Sequence, residues 1–197
     1  MKQGRLFGNR LILALLVLSL SGGIRAAEKG VFKGIDHFSG DTDGKKMSME
    51  GANLEYFQGE TYIRFNRAEI VEEDDGARTV TFIGEVALQH EDLNVKGEMF
   101  RYHTKQKSGV FTGEVVLERE ETRNDQGEVE KDGIKLVCHS LYLQTEDKAF
   151  TARGEPFIEH KDFQGSGEEI GYVDAEEVLT IKGGFYLLKE KEEIKGE

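Results

Sequence analysis

A two-strand pattern recurs along this chain with a nearly constant step, and that repeat fixes the class of fold before any single residue is considered. Alternate positions from Val80 read Val80, Phe82, Gly84, Val86, Leu88. The same apolar-x-apolar-x-Gly-x-apolar-x-apolar string returns, with small substitutions, three more times. It reads Gly109, Phe111, Gly113, Val115, Leu117, then Phe150, Ala152, Gly154, Pro156, Ile158, then Leu179, Ile181, Gly183, Phe185, Leu187. The central glycines are 29, 41 and 29 residues apart, and the long step holds a polar insert from about Arg119 to Lys131. Self-similarity at a fixed period is the mark of one supersecondary unit stacked on copies of itself.

A second strand follows each first strand and repeats with it. Leu93, Val95, Gly97, Phe100, Tyr102 is the reference copy. It recurs as Ile134, Leu136, Cys138, Leu141, Leu143 and as Phe163, Gly165, Gly167, Ile170, Tyr172, with an early copy at Met47, Met49, Gly51, Leu54, Tyr56. The change from odd to even positions inside each copy is what a β-bulge produces when it inserts one residue and swaps faces. A period of two over four or five positions marks a half-buried strand, since successive side chains point to opposite faces. Thr79, Thr81, Glu85 and Gln89 lie between the apolar positions of the Val80 strand and belong outside. Phe82, Val86, Leu88, Phe111, Val115, Leu117, Ile181 and Phe185 are therefore predicted to face one continuous interior. With 24 Gly, one Pro, no Trp and no convincing amphipathic helix, the chain reads as all-β with many tight turns.

Residues 1–26 are set apart as a signal peptide. Lys2, Arg5 and Arg10 form a basic region, Leu11 to Leu20 an apolar stretch, and Ile24-Arg25-Ala26 a cleavage site. Ten apolar residues fall short of the roughly 20 that span a bilayer; an uncleaved membrane anchor is the alternative. Residues 27–188 form one domain and 189–197 a charged tail. The chain has a formal charge of −12, and its first 26 residues carry four basic groups and no acids, so the remainder stands at −16. Nucleic-acid phosphates demand a basic footprint, so that class is excluded. Cys138 is the only cysteine. It rules out an internal disulfide and takes a small-residue position as a buried hydrophobe.

No catalytic or metal constellation emerges. His37, His90, His103, His139 and His160 are scattered, without the spacing that places two imidazoles on one metal. His90 and His160 occupy equivalent repeat turns, which accounts for them. Gly165-Ser166-Gly167 lies within a strand copy with no helix after it, so it is no phosphate loop. The chain reads as a non-enzyme that needs no cofactor.

The runs Thr81-Phe82-Ile83-Gly84-Glu85-Val86-Ala87-Leu88 and Gly109-Val110-Phe111-Thr112-Gly113-Glu114-Val115-Val116-Leu117 resemble the F-x-G-x-V strand of the OstA-like family, the LptA and LptC periplasmic proteins of lipopolysaccharide transport. Leu93 to Tyr102 resembles that family's partner strand, and the likeness extends over roughly Gly44 to Leu188. The stretch Asp43 to Tyr56 is similar to the start of the anchored LptC type, and Phe150 to Leu188 to the soluble LptA type.

The resemblance implies a twisted antiparallel β jelly roll that shields acyl chains of lipopolysaccharide in an apolar groove. Phe82, Val86, Leu88, Val95, Phe111, Val115, Leu117, Leu136, Ile158, Ile181 and Phe185 would line that groove. It also implies a periplasmic location, partnership with the inner-membrane lipopolysaccharide transporter and an outer-membrane LptD-type protein, and head-to-tail self-association. The strand around Met47 to Tyr56 and the strand Leu179 to Leu188 are the expected sheet ends, with Lys189 to Glu197 too charged to continue the sheet. A structural β-repeat protein with a closed core and no ligand is the competing reading, and a cupin-like jelly-roll enzyme is opposed by the missing histidine cluster.

Overall fold

A computed structural model describes residues 30–197 apart from 91, 146, 148, 174–177, 190, 191 and 197; the expected signal segment lies outside the described residues. Among the described residues every regular element is a β-strand. Short strands β1 (Val31–Lys33) and β2 (His37–Gly40) precede β3 (Lys46–Gln58), β4 (Thr61–Glu72), β5 (Arg78–His90), β6 (Leu93–His103) and β7 (Ser108–Arg119). The polar insert forms its own hairpin, β8 (Thr122–Arg123) with β9 (Val129–Lys131), before β10 (Ile134–Gln144) resumes the main sheet. Beyond it come β11 (Ala149–Arg153), β12 (Phe157–His160), β13 (Phe163–Ser166), β14 (Glu169–Val173), β15 (Val178–Lys182), β16 (Phe185–Lys189) and β17 (Glu192–Gly196). All pairings are antiparallel and the sheet does not close on itself, giving an open, twisted jelly roll.

The repeat glycines explain how one sheet makes two layers. Gly84, Gly113, Gly154 and Gly183 have φ of 85°, 79°, 76° and 78°, in the left-handed region that only glycine enters freely. Glu85, Glu114 and Glu155, which follow the first three, are left-handed as well, at 44°, 42° and 55°. Each such pair breaks the strand's alternation, and the register shifts line up from strand to strand: Ile83/Val86 on β5, Lys96/Met99 on β6, Cys138/Ser140 on β10. The result is a crease across the sheet, on which it folds into two leaves. The sequence reading placed the bulge in the second strands; the structure places it in first and second strands alike.

After β10 the crease becomes a split. The residues before and after each later crease belong to separate strands, so β11, β14 and β15 continue one leaf while β12, β13, β16 and β17 continue the other. Two expectations about the ends are corrected here. The strand Met47 to Tyr56 is not an edge, because β1 covers Glu55–Phe57 and β2 covers Met47–Glu50. The charged tail does not fray: Glu192–Gly196 pair with Phe185–Lys189 as β17, leaving β15 and β17 as the outer strands at this end.

The early copy is corrected too. Two antiparallel steps separate β3 from β5, so β3 runs as a first strand does, although Met47 to Tyr56 read as a second strand. The second strand beside it is β4, whose Thr61, Ile63, Ala68 and Ile70 align with Leu93, Val95, Phe100 and Tyr102 through their shared neighbour β5, with Phe65 in the register shift where β6 has Gly97. Ala68 takes the phenylalanine position.

Candidate functional site

Strand register assembles the inner surface into long cross-strand rows. One row runs Phe32, Tyr56, Ile63, Leu88, Val95, Leu117, Leu136, Ile158, Gly165, Leu187, Ile194 along the first leaf. Facing it, the second leaf carries Phe38, Met49, Ala68, Phe82, Phe100, Phe111, Leu141, Ala152, Ile170, Ile181. Phe82 and Phe111 thus share one face. Aromatic rings continue the contact between strands, with Phe100 4.1 Å from Phe111 and Phe65 4.8 Å from Phe82, centroid to centroid. Gly109 makes room for this: a Cβ there would lie 2.5 Å from the Phe100 ring.

Exposure changes sharply along both rows. Phe82, Val86, Leu88, Val95, Phe111, Val115, Leu117, Leu136 and Ile158 are all sealed, none more than 2% exposed. Ile181 and Phe185 are half-buried. Of the residues that the sequence singled out, the nine sealed ones belong to one packed cluster and Ile181 packs against its margin, while Phe185 is half-buried outside it. At the row ends, Phe38 is 62% and Ile194 46% exposed.

The open end is built on glycine. A Cβ at Gly165 would stand 2.7 Å from Ile181 Cδ1 and 3.3 Å from Leu187 Cδ1, and one at Gly167 would stand 2.7 Å from Ile181 Cγ2. Side chains from both leaves thus lie over bare backbone. On the outer face, Glu169 ties the second leaf together, accepting from Lys182 Nζ at 2.8 Å and from Arg153 Nε at 2.8 Å. These two cations hold its carboxyl below the ordinary range. Ile194, a lone apolar residue in a charged stretch, was missed by the sequence reading. Phe32-Lys33-Gly34 was missed as well, although it repeats the F-x-G string of Phe82-Ile83-Gly84.

Polar groups gather along one long margin of the interior. The register row Gln58, Thr61, His90, Leu93, Arg119, Ile134, His160, Phe163 contains four of the buried polar side chains. Arg119 donates through Nε and Nη2 to the Asp132 carbonyl at 3.0 and 2.8 Å. His160 Nδ1 accepts from the Asp162 amide at 3.3 Å while Nε2 lies 3.5 Å from Asp132 Oδ2. The inserted hairpin is thereby fastened at its base. Tyr56 donates to Gln58 Oε1 at 2.7 Å, and burial pushes its hydroxyl up to about 12. Burial likewise pushes the Cys138 thiol up to about 11. Among the described residues no group of three or more His, Cys, Asp or Glu is arranged to hold a metal ion.

No protein-family model matches the chain, and no curated protein matches it. Among solved structures it is similar to LptH from Pseudomonas aeruginosa, the LptA homologous periplasmic component of the lipopolysaccharide transport device. The two share 12% identity over 79% of this chain and 83% of that one, with a TM-score of 0.36.

Proposed function

We propose that this protein is a periplasmic carrier that shields the acyl chains of lipopolysaccharide between the inner and outer membranes. The observation that carries the reading is the uninterrupted apolar inner surface that reaches solvent at Leu179, Ile181, Phe185, Leu187 and Ile194. Burial is worth about 0.8 kcal/mol per methylene, so an apolar surface of this length is a sufficient handle for a multi-acyl lipid. The handle does not depend on charge, which suits a chain that carries a large negative excess of its own. The strings around Gly84 and Gly113 that resemble the OstA-like family support the same reading. Among the described residues β15 and β17 are the outermost strands at this end, which makes them the places for strand addition by a neighbour, either a second copy or a membrane partner.

The sealed middle favours one competing reading, a structural β-repeat protein whose core simply packs on itself. Photo-crosslinking in cells decides between them. A crosslinker at Ile181 or Phe185 is expected to capture lipopolysaccharide, while one at Thr180, on the outer face of β15, captures none. Equal capture at both faces means surface adsorption, and no capture at either favours the closed structural protein.

A further inference from the structure

The middle of the interior is sealed, so an acyl chain that enters it must move something aside. The shortest strand pairing in the main sheet lies at the N-terminal end. There β1 is held to β3 by three registered residue pairs and β2 by four, whereas β4 meets the other side of β3 through ten. The two short strands are separate because the chain bends at Gly34, whose φ of 76° matches the other crease glycines. Phe32 is the inward side chain of this strap. Its ring lies 4.7 Å from Tyr56 and 6.3 Å from Phe65, centroid to centroid, and is half-buried.

Beneath the ring is a cavity of about 40 Å³ lined by Phe32, Tyr56, Ile70, Val80, Phe82 and Tyr102, with Arg78 at its margin. The Arg78 guanidinium is engaged by Glu72 at 2.6 Å, so the lining offers an incoming group aromatic and aliphatic surface. That void is well short of the ~150 Å³ cavity that admits a benzene-sized group. It takes a ligand only when the ring withdraws. Phe38 shows the strap's inner face without such a seal: it points inward opposite Met49 yet is 62% exposed.

We propose that the cavity beneath Phe32 is the terminal subsite for a single acyl chain and that the β1–β2 strap is its gate, displaced as the chain enters. The proposal rests on the lipid-carrier reading. Phe32 occupies the place of the chain's end in the empty protein, as an internal apolar substitute, and leaving exposes the wall formed by Tyr56, Val80 and Phe82. Gly51 sets how closely the strap can approach, since a Cβ there would stand 2.2 Å from the Gly34 carbonyl oxygen.

The test locks and loosens the strap in the purified chain and follows uptake of cis-parinaric acid by stopped-flow fluorescence. Lys33 and Glu55 are ladder partners, so K33C with E55C forms a disulfide that fastens β1 to β3 without touching the cavity. Oxidation is expected to slow uptake about tenfold, in proportion to the lost fraction of open strap, and reduction to restore it. G51A, which must push the strap outward, is expected to speed uptake. Equal rates in the oxidised and reduced forms overturn the gate while leaving the carrier reading intact. Failure of every form, G51A included, to bind the probe overturns both.

Discussion

The region from β4 to β10 and the region beyond β10 are built from the same repeat, yet they end in different states. In the first, long strands cross the crease unbroken and the inner rows are sealed. In the second, the left-handed glycines sit between separate half-strands; Phe150, Ala152, Ile158, Ile170 and Tyr172 on the first of these are still sealed, and Leu179, Ile181, Phe185 and Leu187 on the last remain half-exposed. The sequence motif is thus not what closes the core. Nor is it continuity of strands across the crease, since the split strands β11, β12 and β14 are sealed; cover is lost at β15 and β16, at or next to the outer edges of the sheet.

Substitutions that remove inner-face volume probe this contrast most strongly. Phe111→Ala is expected to cost about 4 kcal/mol, as a fully buried aromatic leaves a cavity that long strands cannot collapse. Ile181→Ala, at a half-exposed position, is expected to cost about 1 kcal/mol. Urea denaturation measures both, and similar costs would mean that the C-terminal end is packed as tightly as the middle.

Backbone strain gives a smaller contrast. Gly113 and Gly183 have nearly the same φ, and a Cβ at either meets the flexible side chain of a glutamate, Glu98 or Glu168. Gly113→Ala is expected to cost about 2 kcal/mol and Gly183→Ala about half that, since β15 and β16 can relax around the link. Equal losses in the same denaturation series would make the strain a local property of the turn.

Electrostatics gives the smallest effect. The folded carboxyl of Glu169 titrates below its ordinary value, so its ion pairs stabilise the second leaf fully above that value and are lost as pH falls through the folded pKa. Amide exchange on β15, divided by the intrinsic rate at each pH, is expected to rise as the pH falls below the ordinary glutamate range. Glu169→Gln should raise that exchange at neutral pH and flatten its acid dependence. Acid-independent protection in the unaltered chain would show that Arg153 and Lys182 do not hold β15 in place.

Much of this was legible in the residues. The period, the crease glycines and the inward face follow from side-chain alternation, which survives in any context that buries one face. Strand β4 was hidden because bulk is traded between neighbours: Phe65 stands in the register shift where the next copy has Gly97, while Ala68 yields where that copy has Phe100, and a pattern search sees neither as a match. The reversed direction of β3 escaped for a related reason, since Gly51 and the added residue before Leu54 imitate the bulge of a second strand. The separation of β11 from β12 turns on pairing partners distant in sequence, which no local pattern encodes. Exposure at Ile181 and Phe185 was equally unreadable, because their alternation is identical to that of Phe111 and Val115.

The line of left-handed residues has one more consequence, for the chain before it folds. A sheet of many strands without any disulfide is exposed to slipped pairings, which turn a core face outward and invite fibril-like stacking. Here a slip by one residue would place a side-chain-bearing residue at a dihedral angle reserved for Gly84, Gly113 or Gly154, and would set the bulges of adjacent strands out of line. Each repeat therefore carries its own alignment mark, so a newly made polypeptide can be proofread strand by strand as it zips up, with misregistered intermediates penalised early.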